Sequence, residues 1–223
     1  MSARFIAGVL LVTTPLAFNV LFLVLQRSFD YPGVLRRPTS QILSRFAAGG
    51  RRLIVTWYLF ALSAALILPG IILLSEVAGS SVLARIALPI GVFAGAVQLI
   101  GLMRWPFLVP YLARRFASPD TSAAAREAIE ITFESAHRFL GLAVGEHLGY
   151  LSTAVWTALI AFALVDAGIV LPLAAYVGML TAIGIAAGLL EPAGWRSAAA
   201  VNAIAYLLWS VWLTVVGVAL LTT

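Results

Sequence analysis

Long apolar stretches, broken by short arginine-bearing segments, recur from one end of the chain to the other. Six reach the roughly 20 residues a helix needs to cross a bilayer: Phe5–Leu25, Leu53–Ser75, Ile86–Met103, Phe139–Val165, Gly168–Leu190 and Ala198–Leu221. Backbone groups in lipid must be paired internally, so only helices or a closed barrel can span. These runs are continuously apolar, without the in-out alternation of a barrel strand. The pattern predicts an all-α polytopic bundle of six transmembrane spans, one integral membrane domain over residues 1–223. Met1–Leu25 has no small-residue cleavage motif after its apolar run and reads as a retained first span.

Two connections are long enough to hold structure of their own. In residues 26–52, Tyr31-Pro32-Gly33 signals a turn, and Pro38–Gly50 predicts a short surface helix ended by Gly49-Gly50. Residues 104–138 open on Arg104-Trp105-Pro106-Phe107, with Pro110 following, a boundary composition suited to the headgroup region. Ser118-Pro119 there predicts a helix start, with serine as cap and proline at the first helical position. The amphipathic cytoplasmic helix that follows, before span four, carries Ala125, Ile129, Phe133, Ala136 and Leu140 on one face. It either lies in the interface or runs on into span four.

Composition agrees with the pattern: 62% of residues are hydrophobic and 10% charged, against roughly 25% charged in an average globular chain. All 14 basic residues are arginine. Arg27, Arg36, Arg37, Arg45, Arg51, Arg52, Arg104, Arg114, Arg115, Arg126, Arg138 and Arg196 fall on one side of the predicted bundle, Arg4 and Arg85 on the other. The positive-inside rule then makes loops 26–52 and 104–138 cytoplasmic and puts both termini outside, as in a bacterial inner-membrane protein. That rule accounts for the arginines without a nucleic acid, which is not expected as a partner. Membrane lipids are, since the guanidinium fork suits anionic headgroups. Gly91-x-x-x-Gly95 and Gly184-x-x-x-Gly188 fit close helix approach, within the monomer or in a homo-oligomer. The chain has no cysteine, which excludes disulfides and thiolate metal sites.

Span four carries the candidate chemistry. At 100° per residue, Glu146, Tyr150, Thr153 and Thr157 fall within about 40° of one another, a polar stripe down one helix face. Gly141, Gly145 and Gly149 form an adjacent stripe of small residues. A carboxylate in a span must be protonated, paired or facing water, and it is a functional candidate by default. Glu146 and Tyr150 are therefore the candidate catalytic groups, with Glu146 as acid or proton relay. Thr153, Thr157, Gln98, Asn202, Tyr206 and Trp209 are the candidate lining of a substrate cavity, though each could equally make interhelical hydrogen bonds. His147, Arg104, His137 and Glu134 are expected to support or gate the site. Glu134-x-x-His137 has the spacing of a di-iron bundle, but a second such motif is missing. Neither metal nor any other cofactor is expected. Glu191 and Asp166 read as solvated residues at the ends of spans.

The motifs Arg104-Trp105-Pro106-Phe107-Leu108, Phe133-Glu134-x-x-His137 and Gly145-Glu146-His147-Leu148-Gly149-Tyr150, with Trp156 beyond, resemble a family of uncharacterised bacterial six-span membrane proteins, a domain of unknown function. The resemblance is best over residues 100–160. It implies a shared six-helix fold and brings no activity with it. From the residues alone, three functions compete. One is a membrane-embedded enzyme acting on an apolar isoprenoid or lipid-like substrate, with acid catalysis of the terpene-cyclisation type. The others are a non-catalytic membrane subunit or stress protein, and a small proton-coupled transporter.

Overall fold

The structure is a computed structural model and describes residues 1–222. Its helices are α1 (Ala3–Phe29), α2 (Thr39–Ala65), α3 (Ile67–Val77), α4 (Val82–Ala117), α5 (Ala123–Ala136), α6 (Gly149–Asp166), α7 (Pro172–Ala186) and α8 (Ala198–Thr222). A π-helical segment, His137–Leu148, joins α5 to α6, and a 3-10 turn, Ala187–Leu190, closes α7. Among the described residues, six helical stretches are long and apolar enough to cross a membrane. The fold is the expected all-α bundle.

Local chemistry sets most of the boundaries. Ser2, Ser81 and Ser122 cap α1, α4 and α5, each hydroxyl accepting from the backbone N–H three residues on. The expected surface helix is present as the first part of α2. It breaks at Gly50, whose φ of 54° and ψ of −152° suit only glycine. The remainder of α2 continues into α3 after an interruption at Leu66. Pro69 explains it, because the proline offers no N–H to the carbonyl of Ala65.

Two expectations about the second connection change, and one open alternative is decided. Ser118 does not start a helix: it closes α4, and Ser122 caps α5 instead. The Thr121 hydroxyl donates to the Arg115 carbonyl at 2.6 Å, which folds the intervening turn back onto the end of α4. Arg104–Pro110 is not a boundary loop, since α4 runs through Pro106 and Pro110 to Ala117 and buries both prolines. Finally, α5 does not lie apart in the interface; it continues through the π segment into α6 as one stretch, Ala123–Asp166. Its Ile129 and Phe133 are buried, as the amphipathic pattern requires.

The spans form a closed ring in chain order. α1 packs on α2 and α3, these on α4, α4 on α6, α6 on α7, α7 on α8, and α8 back on α1. At the end holding Val77, Val82 and Asp166, residues from α1, α3, α4, α6, α7 and α8 fill the ring, with Leu11, Leu74, Trp156, Ile160 and Val216 at its centre. At the arginine-rich end the packing divides. One cluster joins α1, α2, α4 and α5 through Phe29, Phe46, Trp57, Trp105 and Phe133. A smaller one joins α6, α7 and α8 through Ala154, Ala182, Ile185 and Ala205. The candidate site lies between the two.

Candidate functional site

The glycines set the geometry. Gly141, Gly145 and Gly149 all face α4: a methyl on them would meet Arg104, the Gly101 Cα and Gln98, respectively. A stripe at four-residue spacing drifts around an α-helix, but in the π segment hydrogen bonds run from i to i+5 and each turn is wider. The three glycines stay on the face turned to α4. The Gly184-x-x-x-Gly188 pair likewise serves the monomer, against Ala205 and against Asn202 and Tyr150.

This packing brings most of the candidate polar residues together across three helices. The Gln98 amide on α4 donates to the Thr153 hydroxyl on α6 at 2.8 Å. Trp209 on α8 reaches across the ring and donates to the Thr157 hydroxyl at 2.8 Å. The Tyr150 and Tyr206 rings lie 5.7 Å apart. The Tyr206 hydroxyl is turned toward Thr153 but completes no hydrogen bond. Asn202 stands slightly apart, where its amide donates to the Ile185 carbonyl at 2.8 Å, just before α7 tightens into the 3-10 turn. It satisfies a carbonyl that the change of helix type would leave exposed.

Glu146 faces inward. The charged and hydroxyl groups whose fields reach it are Arg104 on α4, Glu191 at the end of α7, Tyr31 in the first connection, Tyr150 on α6 and Tyr206 on α8. Glu146 itself is half-buried. Neither a hydrogen bond nor an ion pair closes on its carboxyl: among the described residues the ion pairs are those of Asp30 with Arg37, at 2.5 Å, and with Arg45, at 3.4 Å. Measured back from Asp166, Glu146 is about 30 Å along the helix axis, which puts it near the arginine-rich boundary of the hydrocarbon and not deep inside it. Arg104, about 33 Å along α4 from Val82, is at matching depth.

Arg104 is the most unusual group. It is 7% exposed, has no carboxylate in contact, and donates to the Gly101 carbonyl of its own helix. One terminal nitrogen meets His137 Nδ1 at 3.3 Å, and the guanidinium lies 5.3 Å from the Trp105 ring centre. Its Nε is buried without a partner. An aromatic wall stands behind it. Trp57 and Trp105 stack at 4.4 Å, Phe133 meets Trp105 edge-on, and His137 stacks on Phe133 at 5.9 Å. Tyr31 packs against Trp57, and burial pushes its hydroxyl up to about 12, so it remains a neutral donor.

The other supporting residues divide. His137 and Arg104 join the site, whereas Glu134 is exposed and accepts from the Thr39 hydroxyl at 2.9 Å, pinning α5 to the surface helix. His147 is exposed on the outer side of the π segment and does not join the cluster. No group of three His, Asp or Glu side chains among the described residues could hold a metal ion. Sequence reasoning passed over Tyr31, taken only as part of a turn, and Glu191, which is exposed as expected yet lies within electrostatic reach of Glu146. It also missed Asn19 on α1, whose amide donates to Ser210 on α8 at 3.1 Å and closes the ring. A lone amide in mid-span was the available signal for that residue.

An all-helical ring of six helical stretches long and apolar enough to cross a membrane, with most of its arginines at one end, defines a multi-pass integral membrane protein. The chain belongs to the family described as domain of unknown function DUF4386, whose model matches residues 6–217. No curated protein and no solved structure matches the chain.

Proposed function

We propose that the protein is a membrane-embedded acid–base enzyme acting on a lipid-like apolar substrate, with Glu146 as the group that gives and takes the proton. The observation that carries this reading is the state of Glu146: turned into the ring, near Arg104, Tyr31, Tyr150, Tyr206 and Glu191, yet bonded to none of them. A structural carboxyl would use its hydrogen-bonding capacity; an unengaged one is free to exchange a proton with a guest. Tyr150 and Tyr206 offer a second hydroxyl and a ring face beside it, and aromatic faces stabilise cationic intermediates of isoprenoid-type chemistry. The test is reconstitution in total lipid extract, followed by mass spectrometry of the lipids. Wild type should convert one species, and Glu146→Gln should slow that conversion roughly 10²- to 10⁴-fold without lowering the melting temperature. Equal conversion by both proteins would remove Glu146 from the chemistry.

One observation favours a second reading, that of a non-catalytic membrane subunit. Gln98, Thr153, Thr157 and Trp209 already bond to one another, so these residues hold helices together before they hold any substrate. On that reading Glu146→Gln changes which proteins co-purify and leaves every lipid unaltered.

A further inference from the structure

Arg104 has a charge that the protein itself does not answer. A guanidinium stays protonated at any accessible pH, and burying one without a counter-ion is costly. Glu134, the nearby acid on α5, is engaged by Thr39 and faces solvent. Asp30 is taken by Arg37 and Arg45. Glu146 feels the Arg104 charge but does not touch it. What Arg104 does touch is neutral: a backbone carbonyl, a histidine nitrogen and an indole face.

Beyond the unpartnered indole N–H groups of Trp57 and Trp105, three polar groups on this side of the ring keep unused hydrogen-bonding capacity. They are the Arg104 Nε, the Tyr206 hydroxyl and the Glu146 carboxyl. Their depth matters as much as their chemistry. Both charged groups sit near the boundary of a hydrocarbon layer about 30 Å thick, the level at which lipid headgroups begin. An amphiphile held by its head at this level keeps its tail among acyl chains.

We propose that Arg104 binds the anionic head of an amphiphile, a carboxylate or a phosphodiester, and so places the neighbouring part of its apolar tail beside Glu146. The inference rests on the enzyme reading and names the substrate class for the same site. A single negative charge balances the buried Arg104 guanidinium, which no carboxylate among the described residues contacts. A free dianionic phosphate would leave an excess charge buried and has no tail to place. The fork of Arg104 can donate two parallel hydrogen bonds to the oxygens of a carboxylate or phosphodiester. His137, stacked on Phe133 and bonded to the other side of the guanidinium, keeps that fork from rotating.

The experiment uses the full protein in nanodiscs and a long-chain fatty acid bearing a photoreactive diazirine. In wild type the label should map to α4 or the π segment, within residues 98–148. Oleate should compete it off, phosphatidylglycerol should compete if phosphodiesters share the site, and inorganic phosphate should not compete. Arg104→Gln should reduce labelling roughly tenfold or more, and Arg104→Lys, which keeps the charge and loses the fork, should fall between. Glu146→Gln should label as wild type does, even where it abolishes conversion. Labelling of wild type confined to other helices overturns the proposal, whether or not the arginine variants fold. So does unchanged labelling in an Arg104→Gln protein that melts like wild type, or competition by inorganic phosphate alone. The two readings fail separately: Arg104-dependent labelling with conversion indifferent to Glu146→Gln removes the acid and keeps the head site, and the converse result removes the head site and keeps the acid.

Discussion

Gly101 and Gly145 meet where α4 crosses the π segment. A methyl placed on Gly101 would sit 2.8 Å from the Gly145 Cα and 2.9 Å from the Leu140 carbonyl oxygen, both backbone atoms with nowhere to go. Gly70 on α3 is the contrast, since its nearest neighbour would be the Leu10 Cβ at 3.7 Å, an ordinary contact. Gly101→Ala should therefore destabilise the protein by about 1–3 kcal/mol, the usual cost of overpacking. Gly70→Ala should leave stability unchanged or raise it by up to about 1 kcal/mol through helix propensity. Thermal melting of the two variants in the same detergent compares them directly, and equal melting would mean that the crossing is not held by backbone contact. The consequence for the site is geometric. Arg104 and Gln98 flank this crossing on α4, so a shift of α4 away from the π segment moves the arginine and the Gln98–Thr153 hydrogen bond together.

At the level of elements, the π segment separates what could be read from the sequence and what could not. Hydropathy alone located six spans, and Pro38 with Gly49-Gly50 marked the surface helix ending at Gly50. These signals are local, so no packing partner is needed to see them. The twelve residues His137–Leu148 carry no comparable sign. Its glycines lie against α4 at Gly101, a fact about two helices at once. Assuming 100° per residue still placed Tyr150, Thr153 and Thr157 on one side, since all three lie in α6 beyond the distortion. Periodicity says nothing of depth. It also could not see that Arg104, 42 residues earlier in the chain, sits at the same level. Poorer hydrogen bonding in the segment has a measurable consequence. Amides of His137–Leu148 should exchange with deuterium faster than those of Val97–Arg104, the stretch of α4 packed against them. Hydrogen exchange with mass spectrometry of the reconstituted protein resolves the two peptides. Equal or slower exchange in His137–Leu148 would mean that the segment is as firmly bonded as an ordinary helix and adds no mobility beside Glu146.

For the whole molecule, ring order and charge distribution constrain each other. Because neighbouring spans follow chain order, each connection lies at one end of the ring or the other. The connections after α1, α4 and α7 gather at one end with most of the arginines, while those after α3 and α6 lie at the opposite end with Arg85. Alternation of sides is thus a property of the fold, and which side faces the cytoplasm is a separate matter decided by charge. One set of measurements addresses both, since the chain has no cysteine of its own. Ser44, Asp120 and Ala193 are exposed at the arginine-rich end, and Ser80 and Ala167 are exposed at the other. Changed singly to cysteine in sealed vesicles, the first three should react with an impermeant maleimide as one class and the last two as the opposite class. A mixed pattern would break the six-span ring. A consistent pattern with the arginine-rich class facing the exterior would keep the ring and reverse its orientation. The proposed head site would then draw its amphiphile from the opposite leaflet, because Arg104 and Glu146 lie at the arginine-rich boundary whichever way the ring is inserted.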